Sequence, residues 1–334
     1  INIIDKDKDT VYKYKSTDHE NSLSDDNIRC ITGIDNEVWI ATENGLTKYD
    51  KNTKEFTKYF HKNRNSLISN DVRSLFIDKD GDLWIGTADG VCTFDRKGKF
   101  KSYRGLFLEN DIHETMFSGI NQDHYGDIWI SSAKNDGLIR INKNTEEIKV
   151  YKNEKNNENS ISSDVVKSIA VDKNNTVWVG TQNGLNKFNR EDETFTRYNE
   201  SDGLSNGFIY GILIDEENNL WLSTNYGISK FNTKDDKFIN YDVTDGLQGN
   251  EFNGFSYYKA DDGEMFFGGI DGLTSFYPEE VKEKGYIPKV VIGSAYTNQD
   301  EALSLENIKL NYKSNNIHFN FFLPDYRNVK KIQY

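Results

Sequence analysis

The stretch SNDVRSLFIDKDGDLWIGTADGVCTFD, residues 69–95, decides the fold, because its arrangement of residue types returns along the whole chain. Residues 72–77 are a β-branched and apolar run suited to a strand, and DKDGD at 78–82 is a tight turn with Gly81 where a positive φ is expected. Residues 83–86, around Trp84, return as a second strand. Ala88-Asp89-Gly90 turns the chain again, 91–94 make a third strand and 100–103 a fourth.

The anchors of the repeat are Trp39, Trp84, Trp129, Trp178 and Trp221, all five tryptophans of the chain, with Phe266 in the sixth place, at spacings of 45, 45, 49, 43 and 45. Each opens a similar run: WIATENGL, WIGTADGV, WISSAKNDGL, WVGTQNGL, WLSTNYGI and FFGGIDGL. Four short strands in a period of about 45 residues fit the blade of a β-propeller, since such a sheet buries both faces only when neighbours stack on it. A β-sandwich is the competing all-β reading, but sandwich strands do not share one pattern at a fixed period. Six blades are expected, with seven as the alternative.

The pattern N-x-[VI]…D-x-x-G-x-[LIV]-W-[IVL]-G-T-x-x-G-L…[FY]-D…F-x-x-[YF] resembles the two-component regulator propeller repeat, found in the sensor regions of bacterial membrane receptors. The resemblance covers about residues 1–276. The first repeat is one residue short before Trp39, the third carries an insertion at 134–136, and the sixth has Phe266 for Trp and Gly269 for Thr. The resemblance implies a ligand-sensing extracytoplasmic domain joined through a membrane helix to a histidine kinase or to another output such as a diguanylate cyclase. In several members the sensed compounds are oligosaccharides.

A net charge of −13 on 334 residues repels a phosphate backbone, so no nucleic-acid partner is expected. No apolar run approaches the ~20 residues of a membrane helix, and neither a signal peptide nor an initiating Met is present, so the chain reads as an excised ectodomain attached to a membrane only through segments outside it. Cys30 and Cys92 fall in strands of different repeats and read as structural thiols.

Residues 1–14, INIIDKDKDTVYKY, align without gaps on 46–59, LTKYDKNTKEFTKY, and so are the third and fourth strands of a blade. The last repeat, 246–276, shows three strands, which leads to the expectation that 11–14 complete it and close the ring. Proline is absent from 1–277, whereas Pro278, Pro288 and Pro324 follow. The domains are therefore a propeller at 1–277, a linker at 278–287 and a β segment at 288–334. That last segment resembles the opening of the immunoglobulin-like module with recurrent tyrosines that commonly follows these propellers.

The Asp-rich turns at 78–82, 123–127, 172–176 and 215–219 stand at one place in the repeat and lack the spaced oxygen ligands of a calcium loop; a turn explains all of them. The five histidines show no metal-ligand spacing, and no nucleophile elbow or phosphate loop is present. No cofactor, metal or catalytic residue is expected. Most of the 54 acids lie in turns and outer linkers, which leaves a propeller-fold glycosidase as a lesser alternative. The repeat is also similar to that of streptogramin lyases, but Thr42, Thr87, Ser132, Thr181 and Thr224 stand three after the aromatic anchor, which argues against that relative.

Aligning the repeats puts Arg29, Arg73, Lys167 and Tyr210 at one place near the start of the inner strand, with Phe255 beside them, while Lys134, Asn135 and Tyr226 occupy second-to-third-strand turns. In a propeller these positions gather on one face around the axis. Cations with aromatics suit a sugar or an acidic saccharide, and the competing reading is that the basic residues balance acids at the rim. The function expected is therefore recognition of an oligosaccharide or other small extracellular solute. A protein-interaction platform that mediates receptor homodimerisation, and a propeller lyase or glycosidase, remain the alternatives.

Overall fold

In the computed structural model, described for all residues except 6–7, 63, 96, 114–115, 282–289, 298–301, 304–315 and 323–334, the chain divides into two compact units, Ile1–Pro278 and Glu279–Tyr334. The first is an all-β, six-bladed propeller. Five blades are four-stranded antiparallel meanders in chain order, and the sixth has three strands. The inner strands are Ile28–Ile34, Val72–Ile77, Phe117–Gln122, Val166–Val171, Ile209–Ile214 and Phe252–Lys259, each packed on the next.

The second strand of each complete blade carries the tryptophan and is buried along the Trp-to-Thr or Trp-to-Ser run, because its two faces meet two neighbouring layers. Trp84 and Val91 of the second blade, for example, share a cluster with Ile120, Ile128, Ile130 and Ile139 of the third. All five tryptophans are buried.

The Asp-rich turns explain that burial. In four blades the first Asp of the turn is itself buried: Asp78, Asp123, Asp172 and Asp215. One carboxylate oxygen accepts two backbone N–H groups of the turn, and the other accepts the indole N–H of the tryptophan six residues on, at 2.8, 2.9, 3.0 and 3.0 Å. These segments are turns, as expected, and the same Asp also seats the core aromatic. The hydroxyl three after Trp plays a comparable part. Thr42, Thr87, Thr181 and Thr224 donate to the carbonyl of the Gly three residues later at 2.7–3.1 Å and pin the next turn. At Gly184, with φ 112°, a Cβ would sit 2.3 Å from the Tyr198 carbonyl oxygen, so only glycine fits there.

Ion pairs cross between blades on the Asp-turn side. Lys143 Nζ lies 2.6, 2.6 and 3.0 Å from Asp78, Asp80 and Asp82 of the preceding blade. Its own burial pulls its pKa down, but hydrogen bonds to the three carboxylates outweigh that and hold it above the ordinary lysine value. Arg190 likewise reaches back to Asp123 and Asp127. Both cysteines are free thiols; Cys92 is buried, and burial pushes its pKa up to about 12. A short helix, Arg104–Glu109, follows the fourth strand of the second blade and sets Phe107 against Phe117.

Ring closure differs from expectation. Thr10–Lys13 pairs with Asn2–Asp5 in a two-stranded hairpin, and Gly272–Phe276 stays an edge strand of the sixth blade. The reason is in the alignment itself: residues equivalent to a third and a fourth strand pair with one another. The hairpin packs Ile1, Ile3 and Tyr14 on Leu23, Ile40 and Tyr49 of the first blade.

In the second unit Val291–Thr297 pairs antiparallel with Ile317–Phe322 and briefly with Ala302–Leu303. The described residues form one small sheet there, and 298–301, 304–315 and 323–334 of the expected β segment lie outside them. Of the expected linker, Pro278–Glu280 is one 3-10 turn and 282–287 lie outside the described residues.

The Asp–Trp tie is testable by urea unfolding. Asp215→Ala strands two turn amides and the Trp221 indole N–H in a buried place and is expected to lose about 3 kcal/mol, while Asp215→Asn, which keeps an acceptor oxygen, loses less. Trp84→Ala is expected to lose ~3–5 kcal/mol, as large aromatic truncations in cores do. Equal, small losses for both Asp215 variants would remove the tie from the account.

Candidate functional site

Every inner strand slips against its partner at the same height. The register shifts between Ile28 and Cys30, Val72 and Ser74, Phe117 and Gly119, Val166 and Ser168, and Ile209 and Gly211. The residues left over are Arg29, Arg73, Ser118, Lys167 and Tyr210. In the sixth blade the slip is longer, between Phe252 and Tyr257, and takes in Phe255, whose φ of 63° is unusual for a bulky side chain. A bulge leaves a residue unpaired and re-aims its side chain, which is why bulges collect beside functional sites. Alignment of the repeats brings five of these residues together, and the bulge supplies the physical reason.

Their surroundings differ. Arg29 pairs with Glu43 of the adjacent turn at 3.0 Å, and Arg73 Nε donates to Asp71 at 3.1 Å. For these two, the reading of bases balanced by neighbouring acids holds. Lys167 is different: its ammonium stands 5.5 Å from the centroid of the Phe208 ring, and burial draws its pKa below the ordinary lysine value. Phe208 lies 4.8 Å from the Tyr210 ring, and the Tyr210 hydroxyl donates to Asn225 Oδ1 at 2.8 Å. Burial, and then the charge of Glu251, raise the Tyr210 pKa. Gly254 leaves room beside that ring, since a Cβ there would lie 3.6 Å from it.

Lys167, Phe208, Tyr210 and Asn225 thus form one cluster of cation, aromatic faces and amide across the fourth and fifth blades. Tyr226, next to Asn225, is exposed with its amide held by Thr224 at 2.9 Å. Phe255 is exposed on the sixth blade. Lys134 and Asn135 sit exposed in the insertion turn of the third blade, where Ser132 accepts the Lys134 amide at 3.4 Å. Phe208, Asn225, Asp71 and Glu43 are the residues that sequence reasoning missed. Phe208 and Asp71 stand two before an identified residue, where the chain enters the inner strand, and that spacing was the available signal.

A concavity of about 540 Å³ opens between the first two blades on the Asp-turn side, lined among others by Trp39, Tyr59, Phe94 and the Lys48–Glu37 pair. The shortened first repeat accounts for it: Ile34 stands where the second to fifth blades have the Asp that binds the indole.

A family model described as the two component regulator propeller matches residues 66–89, 160–183 and 203–226, each spanning an inner strand, its Asp turn and the tryptophan strand. Three segments of the chain carry the two-component regulator propeller repeat. The fold of this chain is similar to the extracellular domains of two hybrid two-component systems of B. thetaiotaomicron. One has a TM-score of 0.66 at 22% identity over 94% of this chain and 44% of that one. The other has 0.53 at 20% over 95% and 49%, so this chain spans about half the length of both. It is also similar in fold to virginiamycin B lyase of Staphylococcus aureus, with a TM-score of 0.55 at 18% identity over 77% of this chain and 85% of the lyase. No curated protein matches the chain.

The burial of Lys167 predicts a measurable difference. With lysines labelled by ¹³C reductive methylation, the Lys167 signal, assigned by its loss in Lys167→Arg, is expected to titrate below the other lysines, and Phe208→Ser, by admitting water, is expected to move it back up. A Lys167 signal that titrates with the bulk would show an ammonium as well solvated as the rest.

Proposed function

We propose that the regulator propeller is the ligand-sensing, extracytoplasmic part of a membrane-bound signalling receptor with a histidine kinase or hybrid output. It recognises a small solute, foremost an oligosaccharide, at the bulge side of the ring. The repeat family and the fold likeness to extracellular receptor domains support the cellular role. The observation that carries the ligand reading is the cluster around the bulges of the fourth and fifth blades. There an incompletely solvated ammonium, two aromatic rings and an amide lie on an otherwise constant frame.

Such a set suits a polyhydroxylated ligand. Aromatic faces cover the apolar face of a sugar ring, the ammonium and amide donate to hydroxyl or carboxylate oxygens, and the Tyr210 hydroxyl can redirect its hydrogen bond from Asn225 to the ligand. Arg29 and Arg73, held by acids, would shape the rim and lend charge when a ligand competes for them. Lys134, Asn135, Tyr226 and Phe255 would make the outer contacts.

Calorimetry of a neutral and acidic oligosaccharide panel tests the proposal. A binding sugar is expected to lose at least tenfold in affinity, about 1.4 kcal/mol, in the Lys167→Ala, Tyr210→Ala double variant, and less in Arg73→Ala. Equal binding by the double variant would move the ligand elsewhere on the protein, and a panel without any binder would count against the saccharide.

A further inference from the structure

Four of the five tryptophans give their indole N–H to a buried carboxylate, and Trp39 does not. Trp39 pairs with Thr32 as Trp84 pairs with Phe76, so it stands in the same register, and it is only 4% exposed. Among the described residues no acceptor takes its indole N–H, yet that nitrogen is not sealed in the core. Trp39 and Ile34, which holds the place of the indole-binding Asp, both line the concavity of about 540 Å³ between the first two blades. The position from which a carboxylate would take the indole N–H therefore lies in that concavity. A donor so enclosed is costly to leave without an acceptor.

The walls of the concavity add a cation and apolar faces. Lys48, opposite Trp39 on the third strand, holds its ammonium 5.9 Å from the centroid of the indole and 2.9 Å from the Glu37 carboxylate. The hydrogen bond to Glu37 raises the Lys48 pKa, so the group is a cation at neutral pH. Ile34, Ile77 and Phe94 supply apolar surface. Two more acids stand around the opening: Asp35 is exposed, and Asp95 is engaged by the amides of Lys97 and Lys99 at 2.9 and 2.8 Å. They disfavour a guest with more than one negative charge.

We infer that this concavity binds a small monocarboxylate with an apolar body, whose carboxylate takes the Trp39 indole N–H and shares the Lys48 ammonium with Glu37 while the body packs on Ile34, Ile77 and Phe94. The second blade shows the same chemistry made within the chain. There Asp78 Oδ2 accepts the Trp84 indole N–H at 2.8 Å and the Lys143 ammonium at 2.6 Å, and that one ammonium serves three carboxylates. A bound acid supplies to the first blade the acceptor that an Asp side chain supplies to the next four. The site lies on the face opposite the bulges and does not depend on the saccharide reading.

Indole N–H spectroscopy of the ¹⁵N-labelled full chain tests this, with the Trp39 signal assigned by its loss in Trp39→Phe. Without added acid, the Trp39 indole proton is expected to exchange with water faster than those of the other four tryptophans. Butyrate or benzoate is expected to move the Trp39 signal along a saturable curve and to slow its exchange, whereas butyramide and benzamide leave it in place. Glu37→Gln, which frees the ammonium, is expected to tighten the binding of benzoate, and Lys48→Met to weaken it by about tenfold. A packing defect alone would not move these two variants in opposite directions. The proposal fails if the Trp39 indole is as protected as the others without acid, since an acceptor of the chain then holds it. It also fails if neither acid shifts the signal, if acids and amides act alike, or if both variants bind benzoate as the natural chain does.

Discussion

A buried carboxylate that accepts three donors holds this propeller to its repeat. A carboxylate out of water is costly unless its lone pairs are used, and the first Asp of the turn uses both oxygens, one on turn amides and one on an indole. The tie joins two things that would otherwise vary independently, the path of the hairpin turn and the seating of the largest core side chain. Where the tie is missing, in the shortened first repeat, the packing opens into the cleft beside Trp39. Cations from the following blade then use carboxylate oxygens of the same turns, so that Lys143 and Arg190 lock one blade to the next on the face opposite the bulges.

The strands, their order and the number of blades were legible because the repeat is read several times over, and chance matches do not recur at one period. The Asp turns were legible as turns but not as anchors of the indole, since a six-residue separation in sequence says nothing of which way a carboxylate points. The bulges left no signal at all. Arg29, Arg73, Lys167 and Tyr210 are not of one residue type, and only the slipped ladder shows that they share a backbone irregularity. The closure was misread for a local reason: the alignment of residues 1–14 on 46–59 already assigned both strands of a hairpin, and two strands assigned to one hairpin satisfy each other first.

The candidate site was half legible. Alignment found residues at the right height, but not which of them are already engaged by neighbours. Asp71 and Glu43 quiet Arg73 and Arg29 as charges, whereas Lys167 has an aromatic ring for company and is drawn toward neutrality by burial. That difference lies in side chains two positions away along a strand or across a turn. Composition gives them no mark.

The repeat divides its labour between positions. In the second to fifth blades Asp and Trp, with the hydroxyl and the glycine beside them, recur because they satisfy one another's buried polar groups, so changing one leaves a buried donor or acceptor unpaired. The bulged position satisfies nothing in the ladder, and its side chain is free to differ from blade to blade: two arginines, a serine, a lysine, a tyrosine and, within the longer slip, a phenylalanine. A frame that fixes six irregular positions at one height, while leaving their chemistry open, can change what it recognises without repacking its core.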